Sequence, residues 1–412
     1  MVKDKRFRFQ KTTSSKLSIS YESGFFFIWA FYEFFSILFG SELKNTFEVN
    51  RLDSFVRYAV IVMLTLLFFL KKRVTAKFFV ISVLLLILIF FVELANLNKY
   101  FLVYILFILN AKNINFRKFI SFDIKVKLVT IFTIVFLCLA GITNNYSALF
   151  YNGVRKFSLG FSHPNTFTCF ALSILLEWLL LKHKSMNLLE WIFNILLFCI
   201  VYYFGRGRSS GYAYCVVYIM FVIARLFPDF YKRKTVRIFI SSLPLLMTAL
   251  SFSGVILFEK GNSLIMKIND LLTGRLYGSY VFLKNYKINL FGQDLALSSS
   301  RDISYVQTVH ILDNAYVRCL LMYGLIVFII IIFSYVLLFN NLIKKNQIEL
   351  ALLGLYFIVI GFGESYMIDP IFNVTLLCLI NASGSVNFLS EKGDAFVFKG
   401  ENESANKQYV FE

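Results

Sequence analysis

Apolar residues occur along the chain in long continuous stretches separated by short polar and basic segments. Stretches of this length predict membrane-spanning α-helices, because a helix satisfies its own backbone hydrogen bonds inside the bilayer. Their continuity, without alternation, argues against a transmembrane β-barrel. Twelve candidate spans result: 24–40, 54–70, 78–92, 99–110, 126–142, 164–181, 188–204, 211–227, 236–258, 314–340, 348–362 and 370–384. The stretch 99–110 is the weakest, since about 20 residues are needed to cross the hydrocarbon layer.

Composition predicts the same fold class. The 412 residues are 58% hydrophobic and 16% charged, and they include 50 Phe and four Pro. So much apolar surface cannot be hidden in one water-soluble core, and so few prolines leave the helices uninterrupted. We therefore expect an all-α, polytopic integral membrane protein with about twelve transmembrane helices. The six cysteines lie far apart without paired spacing and are interpreted as buried small hydrophobic side chains.

The positions of the basic residues predict the orientation of the spans. The net charge of +18 is spread over short clusters between apolar stretches, which indicates membrane topology and not a nucleic-acid partner. The segment 1–21 is rich in Lys and Arg, and no cleavage pattern follows the first stretch, so we expect an uncleaved first span and a cytoplasmic N-terminus. Alternation then places the other main basic clusters and the C-terminus in the cytoplasm.

Four segments fall on the outer face in this topology and are the candidates for function: 143–163, 205–210, 259–313 and 363–369. The loop 259–313, between spans 9 and 10, is too long for a simple connector, and loops of this length often carry a site or a lid. The expected organisation is a single transmembrane domain at 1–390, which contains this extracytoplasmic loop, followed by a polar cytoplasmic tail at 391–412.

Three outer arginines are candidate phosphate ligands. Arg206 and Arg208 lie in a tight Gly-Arg-Gly-Arg turn between two spans, where a planar fork of donors suits a phosphate or pyrophosphate and glycines allow backbone approach. The alternative is that both side chains reach lipid headgroups. Arg275, in the long loop behind an amphipathic segment, is either a second phosphate ligand or a solvated loop charge.

Two outer histidines are candidates for acid–base chemistry. His163 stands before Pro164 and Asn165 at a helix start, where a cap or a hydrogen-bond partner is the alternative to a base. If the tenth span has already begun at His310, that side chain shares a helix face with Asp313 and Asn314. His310 or Asp313 is then a candidate general base, and the alternative is that Asp313 and Asn314 cap the helix.

The sequence offers no cluster of metal ligands and no phosphate-cradling nucleotidase loop, so no metal and no cofactor are expected. A transferase that uses an activated lipid pyrophosphate would need neither, because arginines can stabilise the departing charge.

These motifs resemble the O-antigen polymerase and O-antigen ligase superfamily, the Wzy-type enzymes that join lipid-linked repeat units at the outer face of the bacterial cytoplasmic membrane. The resemblance covers about 150–330. It rests on Gly-Phe-Ser-His-Pro-Asn at 160–165, Gly-Arg-Gly-Arg-Ser-Ser-Gly at 205–211, Leu-Thr-Gly-Arg at 272–275, and Asp-Asn-Ala-Tyr at 313–316 followed by Gly324.

The resemblance implies roles for individual residues. Arg206 or Arg208, together with Arg275, would bind the pyrophosphate of an undecaprenyl-linked oligosaccharide. In the ligases a His precedes the Asn of the last motif and activates the acceptor, whereas this chain has Asp313 there and its His three residues earlier, so the base is Asp313 or His310. The motifs also contain supporting residues: His163, Asn165, Asn314 and Tyr316.

The expected function is polymerisation of lipid-linked repeat units into a capsular, exo- or O-antigen polysaccharide, in the bacterial cytoplasmic membrane and with a flippase and a chain-length regulator as further partners. One alternative is a flippase or transporter of the same lipid-linked sugars, which requires charges deep within spans. Glu33 and Glu177 are the clear intramembrane acids in the sequence. The other alternative is a ligase that transfers finished polymer.

Overall fold

The computed structural model describes residues 21–71, 75–96, 100–112, 114–149, 155–297, 311–382, 386–387 and 397–398. The described chain is mostly helical, and eight of its helices are long and apolar enough to cross a membrane. The protein is therefore a multi-pass, all-α membrane protein, as the apolar stretches predict. The tail 391–412 lies outside the described residues except for 397–398, and His310 lies outside them as well.

Fourteen α-helices occur in the described residues. They are α1 Tyr21–Phe39, α2 Leu43–Thr46, α3 Asn50–Phe69, α4 Ala76–Ala95, α5 Tyr100–Asn110, α6 Phe116–Leu139, α7 Pro164–Lys182, α8 Leu188–Gly205, α9 Arg208–Leu226, α10 Lys234–Glu259, α11 Ser263–Leu271, α12 Arg275–Asn285, α13 Ala315–Lys344 and α14 Ile348–Ile360. Three 3-10 helices lie at Phe230–Lys232, Ser365–Ile368 and Val374–Asn381. Two short antiparallel pairs join β1 Ser147–Leu149 to β2 Arg155–Phe157, and β3 Val386–Asn387 to β4 Val397–Phe398.

The eight candidate spans are α1, α3, α4, α7, α8, α9, α10 and α13. Three further predicted spans coincide with helices outside this set, because α5 and α14 are short and α6 carries several charged residues. The stretch 370–384 is not a continuous α-helix, and its prediction as one was wrong. There the side chain of Asp369 accepts a hydrogen bond from the Ile371 amide, and Asn373 donates to the Met367 carbonyl. Such side-chain bonds replace the helical pattern with turns and a 3-10 helix.

Helices α7, α13 and α14 form the centre of the molecule. Buried residues occur on all sides of α7 and α14, whereas α4 and α8 expose many large apolar side chains. A helix that is apolar all round belongs in a protein interior, and one with an exposed apolar face suits contact with lipid. The N-terminus of α7 is thereby fixed in position, and it carries one of the predicted motifs.

Helix α13 is broken at Gly324, which has φ 89° and ψ 167°. A chain segment that follows α12 fills the break: the Leu325 amide donates to the Asn289 carbonyl at 2.9 Å, and the Ile326 amide donates to Leu290 at 3.3 Å. A Cβ atom on Gly324 would lie 2.3 Å from the Leu290 carbonyl oxygen. The described part of the 259–313 loop is therefore fastened to the central helix.

Four ionisable side chains meet in the interior between α1, α6 and α7. Lys127 forms ion pairs with Asp123, at 2.7 Å, and with Glu177, and Glu33 lies beside Asp123. All four are fully buried, and the Trp29 indole donates to Asp123. The buried charges therefore include more residues than the two acids identified from the sequence. Asp123 lies on α6 just before the predicted stretch 126–142, and Lys127 lies at the start of that stretch.

Candidate functional site

Arg275 connects four separate parts of the chain. It is the first residue of α12, after Gly274 with φ 80°. Its Nη2 donates to Glu364 Oε1 at 2.7 Å and its Nη1 donates to Ser209 Oγ at 3.0 Å. Its Nε lies 3.6 Å from Asp313 Oδ2. The Arg275 side chain is 11% exposed, so this predicted phosphate ligand is fixed by its hydrogen bonds and is not a solvated loop charge.

Glu364 is the carboxylate at the centre of this arrangement. It follows α14, is almost fully buried, and accepts a second hydrogen bond at Oε1 from Asn165 Nδ2 at 3.0 Å. Burial raises the pKa of Glu364 to about 7, although Arg275 acts in the opposite direction. Gly363 leaves room for the arginine, because a Cβ there would lie 2.8 Å from Ser209 Oγ and 3.2 Å from Arg275 Cδ.

Two more cationic side chains approach the same volume. Lys156 lies on β2 and is buried, and its pKa is lowered to about 7 by burial first and then by the charges of Arg275 and Arg208. Arg208 is the first residue of α9. Since helix N-termini carry partial positive charge, the starts of α9 and α12 add to the positive potential. Three basic side chains and two carboxylates, Glu364 with its raised pKa and Asp313, form a site suited to an anion such as a pyrophosphate.

The four segments assigned to one side of the membrane from the sequence each supply a residue to this cluster. Lys156 comes from 143–163, Ser209 from 205–210, Arg275 from 259–313 and Glu364 from 363–369. Sequence reasoning missed Lys156 and Glu364 as individual residues. The available signal was their membership of these outer segments.

Arg206 is placed differently from Arg208. It ends α8 with φ 50°, its Nε donates to the Tyr203 carbonyl at 3.2 Å, and its guanidinium lies over the Tyr203 ring. The glycines of the turn have a packing role against α7. A Cβ on Gly205 would lie 2.1 Å from Thr168 Oγ1, and one on Gly207 would lie 2.9 Å from Thr168 Cβ.

His163 caps α7. Its Nδ1 accepts a hydrogen bond from the Asn165 amide at 3.1 Å, and Pro164 occupies the first helical position. The alternative of a helix cap therefore holds for His163. Its neighbour Asn165 is the residue of this motif that reaches the cluster, through Glu364.

The residues of the Asp-Asn-Ala-Tyr motif at 313–316 have different roles: Asp313 lies at the site, and Asn314 caps the following helix. Helix α13 begins at Ala315, so Asp313 and Asn314 precede it, and the helix face proposed for them with His310 does not extend over 313–314. Asn314 accepts from the Tyr316 and Val317 amides and is the cap, and the buried Tyr316 hydroxyl donates to the Ile358 carbonyl. Asp313, whose side chain is 40% exposed, is the residue that remains at the cluster.

Compared with protein-family models, curated proteins and solved structures, the chain matches none of them. The family resemblance read from the motifs therefore stays a prediction. Within the described ranges, no group of three or more His, Cys, Asp or Glu side chains has an arrangement that could hold a metal ion.

Proposed function

We propose that this protein polymerises undecaprenyl-pyrophosphate-linked oligosaccharide repeat units at the outer face of a bacterial cytoplasmic membrane. The observation that carries the proposal is the gathering of Arg275 and Lys156 around Glu364, with Arg208 close to Lys156, from segments that the sequence places on that face. The reaction releases a lipid pyrophosphate, and a group of fixed cations stabilises the charge that develops on it. We name Arg208, Lys156 and Arg275 the cationic clasp.

The proposed step is a glycosyl transfer. The bond between the anomeric carbon of the donor sugar and the pyrophosphate oxygen breaks, and that oxygen keeps the electron pair. The hydroxyl oxygen of the terminal acceptor sugar bonds to the anomeric carbon, and its proton passes to a carboxylate. The donor is the growing chain on its lipid, the acceptor is a new lipid-linked repeat unit, and the clasp neutralises the leaving pyrophosphate.

We assign the proton acceptor to Glu364. A general base is most effective when its pKa is close to the working pH, and burial brings Glu364 to about 7. Its two hydrogen bonds are both accepted by Oε1, and Oε2 accepts none from the described residues. When Arg275 turns toward the pyrophosphate, its hold on Glu364 weakens, so donor binding makes the carboxylate more basic. Asp313 is the alternative base, beside the same arginine.

The test is the glycan length ladder of a deletion strain complemented with variants. Arg275→Ala and Arg208→Ala are expected to reduce polymer by about 100-fold or more, the usual effect of removing one charge-stabilising donor, while single repeat units still appear. Arg206→Ala is expected to lose much less, because its side chain lies on Tyr203. Arg51→Ala, an exposed arginine at the start of α3, is the control.

Immunoblots of the membrane fraction must show equal amounts of each variant. A wild-type amount and length of polymer from both Arg275→Ala and Arg208→Ala would show that the clasp has no role in the reaction. A loss in Arg206→Ala as large as that in Arg208→Ala would contradict the placement of the two arginines.

A second candidate function is transport of the lipid-linked sugars across the membrane. The buried cluster of Glu33, Asp123, Lys127 and Glu177 favours it, because charges within spans mark substrate or proton pathways. The two functions differ in the deletion strain. Loss of a polymerase leaves single units displayed outside the cell, and loss of a flippase leaves them trapped inside.

A further inference from the structure

A cavity of about 330 Å³ lies beside the clasp, enclosed by parts of α1, α5, α7 and α13 and by the turns after α14. Ligand sites range from about 300 to 1,000 Å³, so this cavity is of a size for one or two sugar rings and not for a whole repeat unit. The lining residues that matter for binding are Thr166, Arg318, Tyr323, Tyr366, Asp369 and Phe372.

One guanidinium and one carboxylate face this cavity. Arg318 lies in the first turn of α13 and is partly exposed, and its guanidinium has no hydrogen-bond or ion-pair partner among the described residues. The Asp369 carboxylate accepts a hydrogen bond from the Ile371 amide at 3.0 Å, and the nearby Tyr104 hydroxyl favours its charged form. Burial raises the pKa of Asp369 to about 6, which leaves it mostly ionised at neutral pH. The two charges balance without forming an ion pair within 4 Å.

Aromatic rings form much of the cavity wall, and neighbouring rings hold two of them in place. Tyr366 stacks on Phe372 with ring centroids 4.3 Å apart, and Tyr323 stacks on Phe101 at 4.2 Å. Rings fixed in this way offer flat apolar faces together with hydroxyl groups. A pyranose ring has the matching surface, because its C–H groups lie on its faces and its hydroxyls lie at its edge.

The cavity and the clasp share a wall. The Tyr366 hydroxyl is 2.8 Å from the Thr166 hydroxyl, and both residues line the cavity. Thr166 follows Asn165, which binds Glu364 on the clasp side, and Tyr366 stands two residues after Glu364. A sugar in the cavity is therefore held one residue layer away from the carboxylate to which we assign proton transfer.

We propose that this cavity is the binding subsite for the terminal sugar of the acceptor, with Arg318 and Asp369 as its hydroxyl-binding residues. The inference rests on the proposed function. The balanced pair of charges favours a neutral polyhydroxylated ligand: a free anion would be repelled by Asp369, and a lipid tail would leave Arg318 without partners. Paired donors and acceptors of this kind reject ligands that lack the hydroxyls, so the cavity also determines which sugar is extended.

The test measures binding of two soluble probes to the full-length protein in lipid nanodiscs. The first probe is the repeat-unit oligosaccharide, released from its lipid pyrophosphate by mild acid and detected by saturation-transfer NMR. The second is inorganic pyrophosphate, measured by calorimetry. Arg318→Ala and Asp369→Asn are expected to weaken oligosaccharide binding by at least about 10-fold, the cost of losing one charged hydrogen-bonding group, and to leave pyrophosphate binding unchanged.

Arg275→Ala is expected to give the reverse pattern, so the two proposals fail separately. Oligosaccharide binding that is absent in the wild-type protein, unchanged in Arg318→Ala, or lost only in Arg275→Ala overturns the cavity assignment. Pyrophosphate binding that survives in Arg275→Ala overturns the clasp. Arg318→Lys, which keeps the charge and loses the planar fork, is expected to bind the oligosaccharide with intermediate affinity, and it serves as the second variant if Arg318→Ala fails to fold.

Discussion

Lys156 and Glu364 carry opposite charges, and both of their pKa values lie near neutrality. Burial is the main cause in each case, and it favours the uncharged form of either group. The neighbouring Arg275 and Arg208 lower the pKa of Lys156 further. The charge of the site therefore changes over a narrow range around pH 7, which makes pH the most direct control of its chemistry.

We predict a bell-shaped pH dependence of chain extension with its maximum near pH 7. As pH falls through about 7, Glu364 gains a proton and can no longer accept one from the acceptor hydroxyl. As pH rises through about 7, Lys156 loses its positive charge and pyrophosphate binding weakens. The measurement is kcat/KM against pH, because this ratio reports the groups of the free enzyme.

Lys156→Arg tests the alkaline side of the profile. Arginine stays charged at all accessible pH values, so the decline above pH 7 is expected to disappear while the acid side remains. Glu364→Gln is expected to lower the rate at pH 7 and above by about 10² to 10⁴, as loss of a general base does, and to remove the decline on the acid side of the profile. An alkaline decline that is unchanged in Lys156→Arg would show that Lys156 is not the group responsible.

The sequence was sufficient to select the site residues that lie in motifs. It was not sufficient to select the site residues whose properties arise from burial in the folded chain. Arg275, Asp313 and Asn165 stand in recognisable patterns and do meet at the cluster. No sequence motif surrounds Glu364. Its hydrogen-bond donors, Arg275 and Asn165, are 89 and 199 residues away along the chain, and its pKa depends on burial that only the folded chain creates. Lys156 is a single lysine in a long segment until the strand pairing places it.

The break in α13 is the element on which the site depends most, because it fastens the segment after α12 to the central helix. Gly324→Ala is expected to lower the apparent Tm of the detergent-solubilised protein. The φ and ψ of Gly324 belong to a region open essentially to glycine alone, which costs about 1–3 kcal/mol for other residues, and the added Cβ would also meet the Leu290 carbonyl.

Gly141→Ala is a comparison variant for the effect of the added Cβ contact. Gly141 also has a positive φ, 72°, but nothing lies within 4 Å of the position where its Cβ would be. An alanine at position 141 would have a positive φ but would meet no neighbouring atom. The Tm of Gly141→Ala is therefore expected to fall less than that of Gly324→Ala. Equal losses in the two variants would mean that the contact between the loop segment and α13 contributes little.

Apolar patterning predicted the elements more reliably than their ends or interruptions. Each predicted span except 370–384 contains an α-helix, because a long apolar stretch in lipid has few other ways to satisfy its backbone. The break at Gly324 depends on bonds to the segment after α12. The exception depends on local side-chain bonds and on a distant one, from Asn373 to the Tyr335 hydroxyl. The start of α6 was missed because its first half carries several charged residues, of which Asp123 and Lys127 are paired in the interior.

Four segments that are distant in sequence contribute to the proposed site, so the whole account depends on their lying on one side of the membrane. We predict that Asn144→Cys, in a variant without the native cysteines, reacts with a membrane-impermeant maleimide on intact cells. Ser185→Cys, between α7 and α8, is expected to react after permeabilisation alone, because basic loops stay inside. Both positions are exposed. The opposite pattern would place the clasp in the cytoplasm.

The central claim is that the chain itself transfers glycans between lipid pyrophosphates. The most direct test supplies purified protein in proteoliposomes with its lipid-linked repeat unit alone and follows both products over time. The account predicts oligomers of two and more repeat units, with one lipid pyrophosphate released for each bond formed and neither product in Arg275→Ala. Repeat units that cross the bilayer without becoming longer would contradict it and would establish transport instead.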